Sequence, residues 1–190
     1  MIKTVAVIGG SGFVGRAVIE TLAQAGKQIV VLCRNSDRAK FLKPLGRVGQ
    51  ITIFAGNALD DKALEKVMEP ADAVINLVGI LAETGSQRFG SLQAELPKRI
   101  GLLASLHNHQ SAVHLSAIGA NPDSASYYAQ TKAAGEFGLN DAFPKAVILR
   151  PSIIFGPRDK FFNRFAAMAQ IAPALPLPGG GNMRMQPVYV

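Results

Sequence analysis

The chain has 190 residues, 48% hydrophobic and 17% charged, which is the composition of a globular domain with a substantial core. Its formal net charge is +7, but the positive residues are dispersed without a nucleic-acid-binding motif, so a nucleic acid is not an expected partner. No run approaches the ~18 consecutive apolar residues of a membrane-spanning helix. The single cysteine, Cys33, excludes an internal disulfide, as in a cytoplasmic protein.

Short runs rich in β-branched residues alternate with helix-like stretches from the N-terminus onward. The predicted strands cover residues 4–10, 28–34, 50–56, 72–79, 111–117 and 145–152. The predicted helices cover residues 13–25, 37–45, 60–69, 89–109 and 126–143. Strands that are apolar almost throughout are typical of a parallel sheet with helices on both faces. The alternation therefore predicts an α/β fold with a doubly wound parallel sheet, the Rossmann fold.

A glycine-rich turn follows the first predicted strand. Gly9, Gly12 and Gly15 have G-x-x-G-x-x-G spacing, and Gly10 with Gly12 and Gly15 also satisfies G-x-G-x-x-G. Such glycines allow a tight turn, a close approach of the backbone to a pyrophosphate, and close packing of the helix on the strand. Because the turn lies between a strand and an amphipathic helix, it predicts a dinucleotide-binding loop.

The end of the second predicted strand bears on the choice of dinucleotide. Proteins that bind NAD usually carry an acidic residue there, which holds the ribose 2′-hydroxyl. Here Cys33 and Arg34 occupy that place, and Arg38 lies one helical turn further on. A guanidinium suits a 2′-phosphate, so the sequence favours NADP(H). Two alternatives stay open: Arg34 is a solvated loop residue and Asp37 a helix N-cap, or Asp37 restores binding of NAD(H).

A candidate acid/base pair lies on the last predicted helix of the sheet domain. Tyr128 and Lys132 are spaced i and i+4, which places both on one helix face, whereas Tyr127 has Thr131 at that distance. A neighbouring ammonium should lower the pKa of the Tyr128 phenol and allow proton transfer. Ser116, at the end of the fifth strand, supplies a hydroxyl at the edge where ligands bind. Tyr127 is predicted to pack or to face a substrate.

The C-terminal part has a different character. We expect a dinucleotide-binding Rossmann domain over residues 1–155 and the start of a substrate or docking part, incomplete in this chain, over 156–190. The stretch "MQPVYV" predicts a final strand. An apolar segment precedes it and predicts a core helix with a proline-rich loop or, alternatively, a docking face; it contains Phe161, Phe162, Phe165, Met168, Ile171 and Leu177.

The glycine loop, Ser116 and the Tyr128–Lys132 pair together resemble the short-chain dehydrogenase/reductase superfamily, on its extended and atypical, NAD-dependent epimerase/dehydratase-like side. The resemblance covers essentially the whole chain. The stretches "NLVGIL", "YYAQTKAAGE" and "LPLPGGGNMRMQPVYV" look most like the bacterial relatives of the nucleotide-binding accessory subunit of respiratory complex I. The most specific stretch is "RPSIIFGPRDKFFNRFA", residues 150–166.

This resemblance implies roles for residues at matching positions. It implies that the pyrophosphate is held by Gly9, Ser11, Gly12, Phe13, Val14 and Gly15, and the adenosine phosphate by Arg34. Adenine would contact Asn57 and Ala58, and the ribose would contact Leu77, Val78 and Gly79. Lys132 would reach the nicotinamide ribose, and Pro151 to Ile153 would close over the nicotinamide. Many relatives have an Asp where this chain has Asn57. In active relatives the tyrosine is the acid/base, the lysine lowers its pKa, and the serine orients the carbonyl.

Two functions are compatible with the sequence. The first is an accessory or assembly-related component of respiratory NADH:quinone oxidoreductase, or of another membrane-associated complex, which binds NADPH without turning it over and lies on the inner face of the membrane. The second is an NAD(P)-dependent oxidoreductase or epimerase of the cytoplasm that acts on a small carbonyl or a nucleotide sugar. Resemblance favours the first, and the presence of Ser116, Tyr128 and Lys132 favours the second. Neither includes a metal site.

Overall fold

The structure is a computed structural model of the chain, and it describes residues 1–172, 174, 180, 182 and 184–190. The chain divides into two compact units, Met1–Arg150 and Pro151–Val190. Among the described residues, no helix combines the length and the apolar character needed to cross a membrane.

The first unit contains one six-stranded sheet. Its strands are β1 (Thr4–Ile8), β2 (Gln28–Cys33), β3 (Ile51–Ala55), β4 (Ala73–Asn76), β5 (Ser111–Leu115) and β6 (Val147–Leu149). Each predicted strand is present but shorter than predicted, because residues at one or both of its predicted ends lie in turns, bends or irregular backbone. All neighbouring strands pair in parallel, in the order β3-β2-β1-β4-β5-β6. This order is that of the Rossmann fold, which confirms the predicted fold class.

Five α-helices connect the strands of this unit. They are α1 (Phe13–Gln24), α2 (Ser36–Ala39), α3 (Asp61–Met68), α4 (Leu96–Leu106) and α5 (Tyr127–Ala142). Two predicted helices are interrupted. The second continues from α2 as a 3₁₀-helix, Lys40–Leu45, which contains Pro44. The fourth begins as a π-helical turn, Gly90–Glu95, and becomes α-helical where Pro97 lies in its first turn. Proline has no backbone N–H to donate, so each of these prolines interrupts the helical hydrogen-bond ladder.

Successive strand residues face opposite sides of the sheet and enter two separate cores. On one side the strands pack against helices α3 and α4, with a core that includes Ala6, Ile8, Val30, Leu32, Val74, Ala112, Leu64 and Ile100. On the other side they pack against α1 and the 3₁₀-helix, with a core that includes Val5, Val7, Ile29, Val31, Ile19 and Leu42. Burial on both faces explains why the strands are apolar almost throughout.

The second unit contains a short parallel pair of strands, β7 (Ile154–Phe155) and β8 (Val188–Tyr189), and helix α6 (Phe162–Ala169). Strand β8 confirms the strand predicted for "MQPVYV". The carboxylate of Asp159 caps α6 by accepting hydrogen bonds from the backbone N–H groups of Phe161 (2.9 Å) and Phe162 (2.6 Å). None of the residues of α6 is buried, so the prediction of a core helix is wrong for this segment. Leu177 lies outside the described residues.

Candidate functional site

The glycine-rich turn lies against the loop that follows β4. Gly9 has a φ of +83°, which favours glycine, and a Cβ there would lie 3.1 Å from Cγ2 of Val78 in the loop after β4. A Cβ on Gly15 would collide with the backbone of Gly10. By contrast, a Cβ on Gly12 would meet only the carbonyl oxygen of Gly9, at 3.5 Å. The turn is therefore closely packed at its first and last glycines and open in the middle, as a backbone that receives a phosphate requires.

The N-terminus of α1 is available to an anion. Gly12 is the N-cap, no side chain caps this end, and the first turn contains no acidic residue. The N–H of Arg16 is bonded to the carbonyl of Gly12, so the amides of Phe13, Val14 and Gly15 precede the helical hydrogen-bond ladder. These amides and the helix dipole suit a pyrophosphate. The predicted contacts of Phe13, Val14 and Gly15 would be made through their backbone.

A cavity of about 270 Å³ opens at the carboxyl ends of β1 to β4. Much of the predicted cofactor set lines it, namely Gly9, Ser11, Gly12, Arg34, Asn57, Ala58, Leu77, Val78 and Gly79. In a sheet of this order, the crevice beside β1 and β4 is where the chain connections diverge and where ligands bind. The residues brought together from four strand ends thus form one continuous candidate site for a dinucleotide.

Several lining residues were outside the predicted set. They are Leu32, Cys33, Gly56, Leu59, Ile80, Ser86, Gln87 and Leu92. Gly56 and Leu59 flank the predicted adenine contacts in the sequence, so their position next to those residues could have identified them as lining residues. Ser86 and Gln87 lie in an irregular loop after β4, where no periodic pattern indicates which side chain turns inward.

The end of β2 presents a cation and no acid to this cavity. Arg34 lines it, and none of the described lining residues is acidic. Asp37 is exposed and forms an ion pair with Lys40 (2.7 Å). The interpretation of Asp37 as the N-cap of α2 is wrong: the cap is Asn35, whose side chain accepts a hydrogen bond from the N–H of Arg38 (3.0 Å). Arg38 is exposed and is not among the lining residues, so its contact with a cofactor stays a prediction.

Lys132 is buried beside the edge of the sheet. Only 3% of it is exposed, and its Nζ donates a hydrogen bond to the carbonyl of Leu115 at the end of β5 (3.2 Å). The same Nζ would lie 3.4 Å from a Cβ on Gly79, so it approaches the loop that lines the cavity. Burial lowers the pKa of Lys132 to about 8, and the negative charge of Glu136 opposes this shift. Glu136 is itself buried and accepts hydrogen bonds from Nε of Arg150 (2.9 and 3.0 Å).

Tyr128 and Tyr127 both contact Phe89 edge to face, with ring centroids 5.7 and 6.1 Å apart, respectively. Tyr128 is half-buried, and burial raises the pKa of its phenol. This direction is opposite to the one expected from a neighbouring ammonium, because removal of the phenol from water disfavours its charged form. Tyr127 is 55% exposed. The assignment of Tyr128 as the acid/base stays a prediction.

A buried pair of polar side chains, which the sequence analysis did not identify, lies beneath this region. The Nδ2 group of Asn76 and Nδ1 of His114 are 3.1 Å apart, and Asn76 Oδ1 accepts a hydrogen bond from the N–H of Val78 (3.1 Å). Burial lowers the pKa of His114 to about 4, and the charge of Lys132 acts in the same direction. Ser116, two residues after His114 and just past the end of β5, is also buried. The apolar pattern of β4 and β5 concealed these residues.

The predicted nicotinamide contacts, Pro151 and Ile153, belong to the second unit, and both are partly buried. Their contact with a cofactor stays a prediction.

Comparison with known proteins identifies the family. A family model described as the NAD dependent epimerase/dehydratase family matches residues 5–190. The mitochondrial NADH dehydrogenase (ubiquinone) 1 alpha subcomplex subunit 9 of Arabidopsis thaliana is 34% identical over 186 residues, which cover 97% of this chain and 46% of the plant protein. The corresponding protein of Mus musculus is 33% identical over 97% of this chain and 49% of its own length.

The chain thus spans about half the length of the curated relatives it matches. Among solved structures, UDP-glucuronic acid 4-epimerase from Bacillus cereus, in complex with UDP-glucuronic acid and NAD, has the same fold, with a TM-score of 0.79 and 18% identity over 98% of this chain and 69% of the enzyme. The family model, the parallel sheet and the glycine turn agree: the chain belongs to the NAD-dependent epimerase/dehydratase family.

Proposed function

We propose that this chain is the dinucleotide-binding part of an accessory or assembly-related component of respiratory NADH:quinone oxidoreductase. The observation that carries the proposal is the similarity, over nearly the whole chain, to a subunit of mitochondrial NADH dehydrogenase in a plant and in a mammal. The matches cover 97% of this chain, so they include most of the segment after residue 150 as well as the Rossmann unit.

The preferred dinucleotide in this proposal is NADP(H). Arg34 lies at the cavity, at the end of β2, and its guanidinium would bind a 2′-phosphate bidentately. An acidic residue that would instead select the ribose 2′-hydroxyl of NAD(H) is not found among the described residues that line the cavity. The nearest candidate, Asp37, is exposed and already paired with Lys40.

The state of Tyr128 and Lys132 favours binding without turnover. A general acid/base works best when its pKa lies near the working pH, and burial moves the pKa of Tyr128 away from neutrality. The Nζ of Lys132 donates a hydrogen bond to the carbonyl of Leu115 and also approaches the cavity loop at Gly79. In this proposal Lys132 holds the nicotinamide ribose and the NADPH is structural.

The alternative is an NAD(P)-dependent oxidoreductase or epimerase with a small carbonyl or nucleotide-sugar substrate. It is supported by Ser116, Tyr128 and Lys132 in the order that such enzymes use. Bound NADPH that is oxidised when a carbonyl substrate is added would favour this alternative.

The first experiment separates these two functions in the native host. Membranes that carry the tagged full-length protein are solubilised gently, and the complexes are resolved on a native gel. Migration with NADH:quinone reductase activity, together with loss of assembled complex on deletion of the gene, is the expected result. A protein found only in the soluble fraction, with the complex intact after deletion, would overturn the proposal.

The second experiment tests the cofactor. Arg34→Glu should weaken the binding of NADPH at least tenfold, or about 1.4 kcal/mol, and change the binding of NADH far less. Arg47→Glu is the matched control, because it makes the same charge change at an exposed residue that neither lines the cavity nor belongs to the predicted cofactor contacts. Equal losses of NADPH and NADH in Arg34→Glu would contradict recognition of the 2′-phosphate.

A further inference from the structure

Ser116 has a buried hydroxyl whose orientation is not explained by the direct contacts of the protein. The residue is 5% exposed, and its Oγ has no hydrogen-bond partner among the described residues. Buried hydroxyls in native proteins are nearly always bonded to protein or to ordered water. Since Ser116 is predicted to orient a carbonyl oxygen, the group that bonds its Oγ determines whether the serine can do so.

His114 presents a second buried polar atom of this kind. The residue is 0% exposed, and its Nε2 is likewise without a partner among the described residues. The N–H of Ser116 continues the ladder between β5 and β6 by donating to the carbonyl of Leu149 (2.8 Å). Alternation along the strand therefore places His114 and Ser116 on the same face of the sheet.

The hydrogen bonds of Asn76 determine which nitrogen of His114 carries the proton. The N–H of Val78 is a donor, so the group of Asn76 that faces it at 3.1 Å is the acceptor Oδ1. The amide NH₂ of Asn76 then faces Nδ1 of His114 at 3.1 Å, and Nδ1 accepts. Because burial lowers the pKa of His114 to about 4, the ring is neutral at pH 7. Its single N–H is consequently at Nε2, and it is a donor.

We propose that His114 is a positioning residue for Ser116 and that the two side chains share one ordered water molecule. The Nε2–H of His114 donates to the water oxygen, and the water donates one of its protons to Oγ of Ser116. The serine then keeps its own proton for a second acceptor, as a residue that orients a carbonyl must. A buried water that joins polar atoms with no direct partner is a common structural element.

This arrangement connects Ser116 to the loop of the dinucleotide cavity. Donation runs from Val78 to Asn76, from Asn76 to His114, and from His114 through the water to Ser116. Val78 lines the cavity. The use of the oriented serine to hold a carbonyl rests on the alternative, enzymatic function, but the chain of hydrogen bonds requires neither turnover nor a bound dinucleotide.

The tautomer of His114 is the direct test, and it needs no variant. The full chain is labelled with ¹⁵N, and the imidazole nitrogens are measured by NMR at pH 7 without a dinucleotide. The expected spectrum shows the proton at Nε2, with slow exchange against solvent. A proton at Nδ1 would overturn the proposal. Because no cofactor is present, this result is independent of whether NADPH binds, and failure of NADPH binding would leave it unchanged.

The shared water is tested in a high-resolution crystal structure. A water within about 2.7–3.2 Å of both His114 Nε2 and Ser116 Oγ is expected. An Oγ bonded directly to a protein group, with no such water, would overturn the proposal. Ser116→Ala should shift the ¹⁵N resonance of His114 Nε2, whereas Ser111→Ala, at the other end of β5 and on its opposite face, should not.

A pair of substitutions at His114 separates positioning from packing. His114→Gln retains an N–H donor near the place of Nε2, so the water and the orientation of Ser116 should be preserved. His114→Asn retains a polar group only near Nδ1, so the water should be lost. Loss of the water in both variants, or its retention in both, would contradict the role of Nε2. If neither variant folds, the measurements on the unmodified protein decide.

Discussion

The dinucleotide cavity and the region around Ser116 and Lys132 lie along the same edge of the sheet but are built from different parts of the chain. The cavity is lined by small residues and backbone at the ends of β1 to β4, and Ser11, Gly12 and Arg34 are exposed. The second region consists of side chains that are almost fully buried, including His114 and Lys132.

This difference has an energetic consequence. Backbone amides at a helix end can receive an anion without having been removed from water as charges. Burial of an ammonium or imidazolium disfavours its charged form, and this desolvation lowers the pKa of both Lys132 and His114. The cavity should therefore govern affinity for the cofactor, while the buried region should govern how stability depends on pH.

The largest expected effect is on stability in acid. The pKa of His114 is about 4 in the folded protein and 6.5 in the unfolded chain, so the unfolded state takes up a proton first. Stability should fall by roughly 3 kcal/mol as the pH falls from 6.5 to 4. Chemical denaturation across this range measures it. His114→Gln should lack this component and Gly12→Ala should keep it. An unchanged slope of stability against pH in His114→Gln would show that burial of His114 does not govern stability in acid.

The next effect concerns Lys132. Its folded pKa of about 8, against 10.5 in the unfolded chain, means that the charged form is disfavoured by folding. Lys132→Met should raise the free energy of unfolding at pH 7 by about 2 kcal/mol. This value is the gain from no longer burying a charge, less the loss of the hydrogen bond to Leu115. The unmodified protein should gain stability between pH 8 and 10.5, and the variant should not. A variant less stable than the original at pH 7 would show that burial of this charge is not costly.

A smaller effect is expected in the cavity. Gly12→Ala should weaken NADPH binding about tenfold, or about 1.4 kcal/mol, because a methyl group stands where the phosphate approaches the backbone. Its unfolding free energy should fall by less than about 1 kcal/mol, since Ala is a poorer N-cap than Gly but the added Cβ meets only the Gly9 carbonyl oxygen at 3.5 Å. Gly15→Ala is the contrasting variant, because its Cβ collides with Gly10 and should reduce stability. Calorimetry and denaturation distinguish these outcomes, and a loss of stability in Gly12→Ala equal to its loss of affinity would count against a backbone-built site.

The smallest effect on binding is expected at Tyr128. Tyr128→Phe retains the ring against Phe89, so NADPH affinity should change less than about twofold. Any oxidation of NADPH by a carbonyl substrate should disappear. Tyr127→Phe is the control and should leave both unchanged. Activity that survives in Tyr128→Phe would make this residue a packing residue only.

Much of the fold followed from local signals in the sequence. The alternation of short apolar runs with amphipathic stretches predicted the doubly wound parallel sheet, and the G-x-x-G-x-x-G spacing correctly predicted a turn between β1 and α1. The helix interruptions were missed because the pattern continues through Pro44 and Pro97, whereas the backbone cannot continue its hydrogen bonds there.

Within the candidate site, the sequence determined the residues whose role depends on the backbone or on neighbours along the chain. Examples are the glycines of the turn and the i, i+4 placement of Tyr128 and Lys132, since a helix fixes such pairs locally. It also predicted Arg34 at the end of β2, because a strand end in a parallel sheet has a defined edge.

Only the tertiary structure decided the electrostatics of the buried region. Asn76 and His114 are far apart in the chain, and they meet because β4 pairs with β5 in a register that places them side by side. The pKa of Tyr128 moved opposite to expectation for the same reason: helix spacing specifies a neighbour, but the depth of burial depends on how α5 packs. Spacing along a chain determines which groups can interact. The direction of their pKa shifts depends also on how much water they lose, and only the fold specifies that loss.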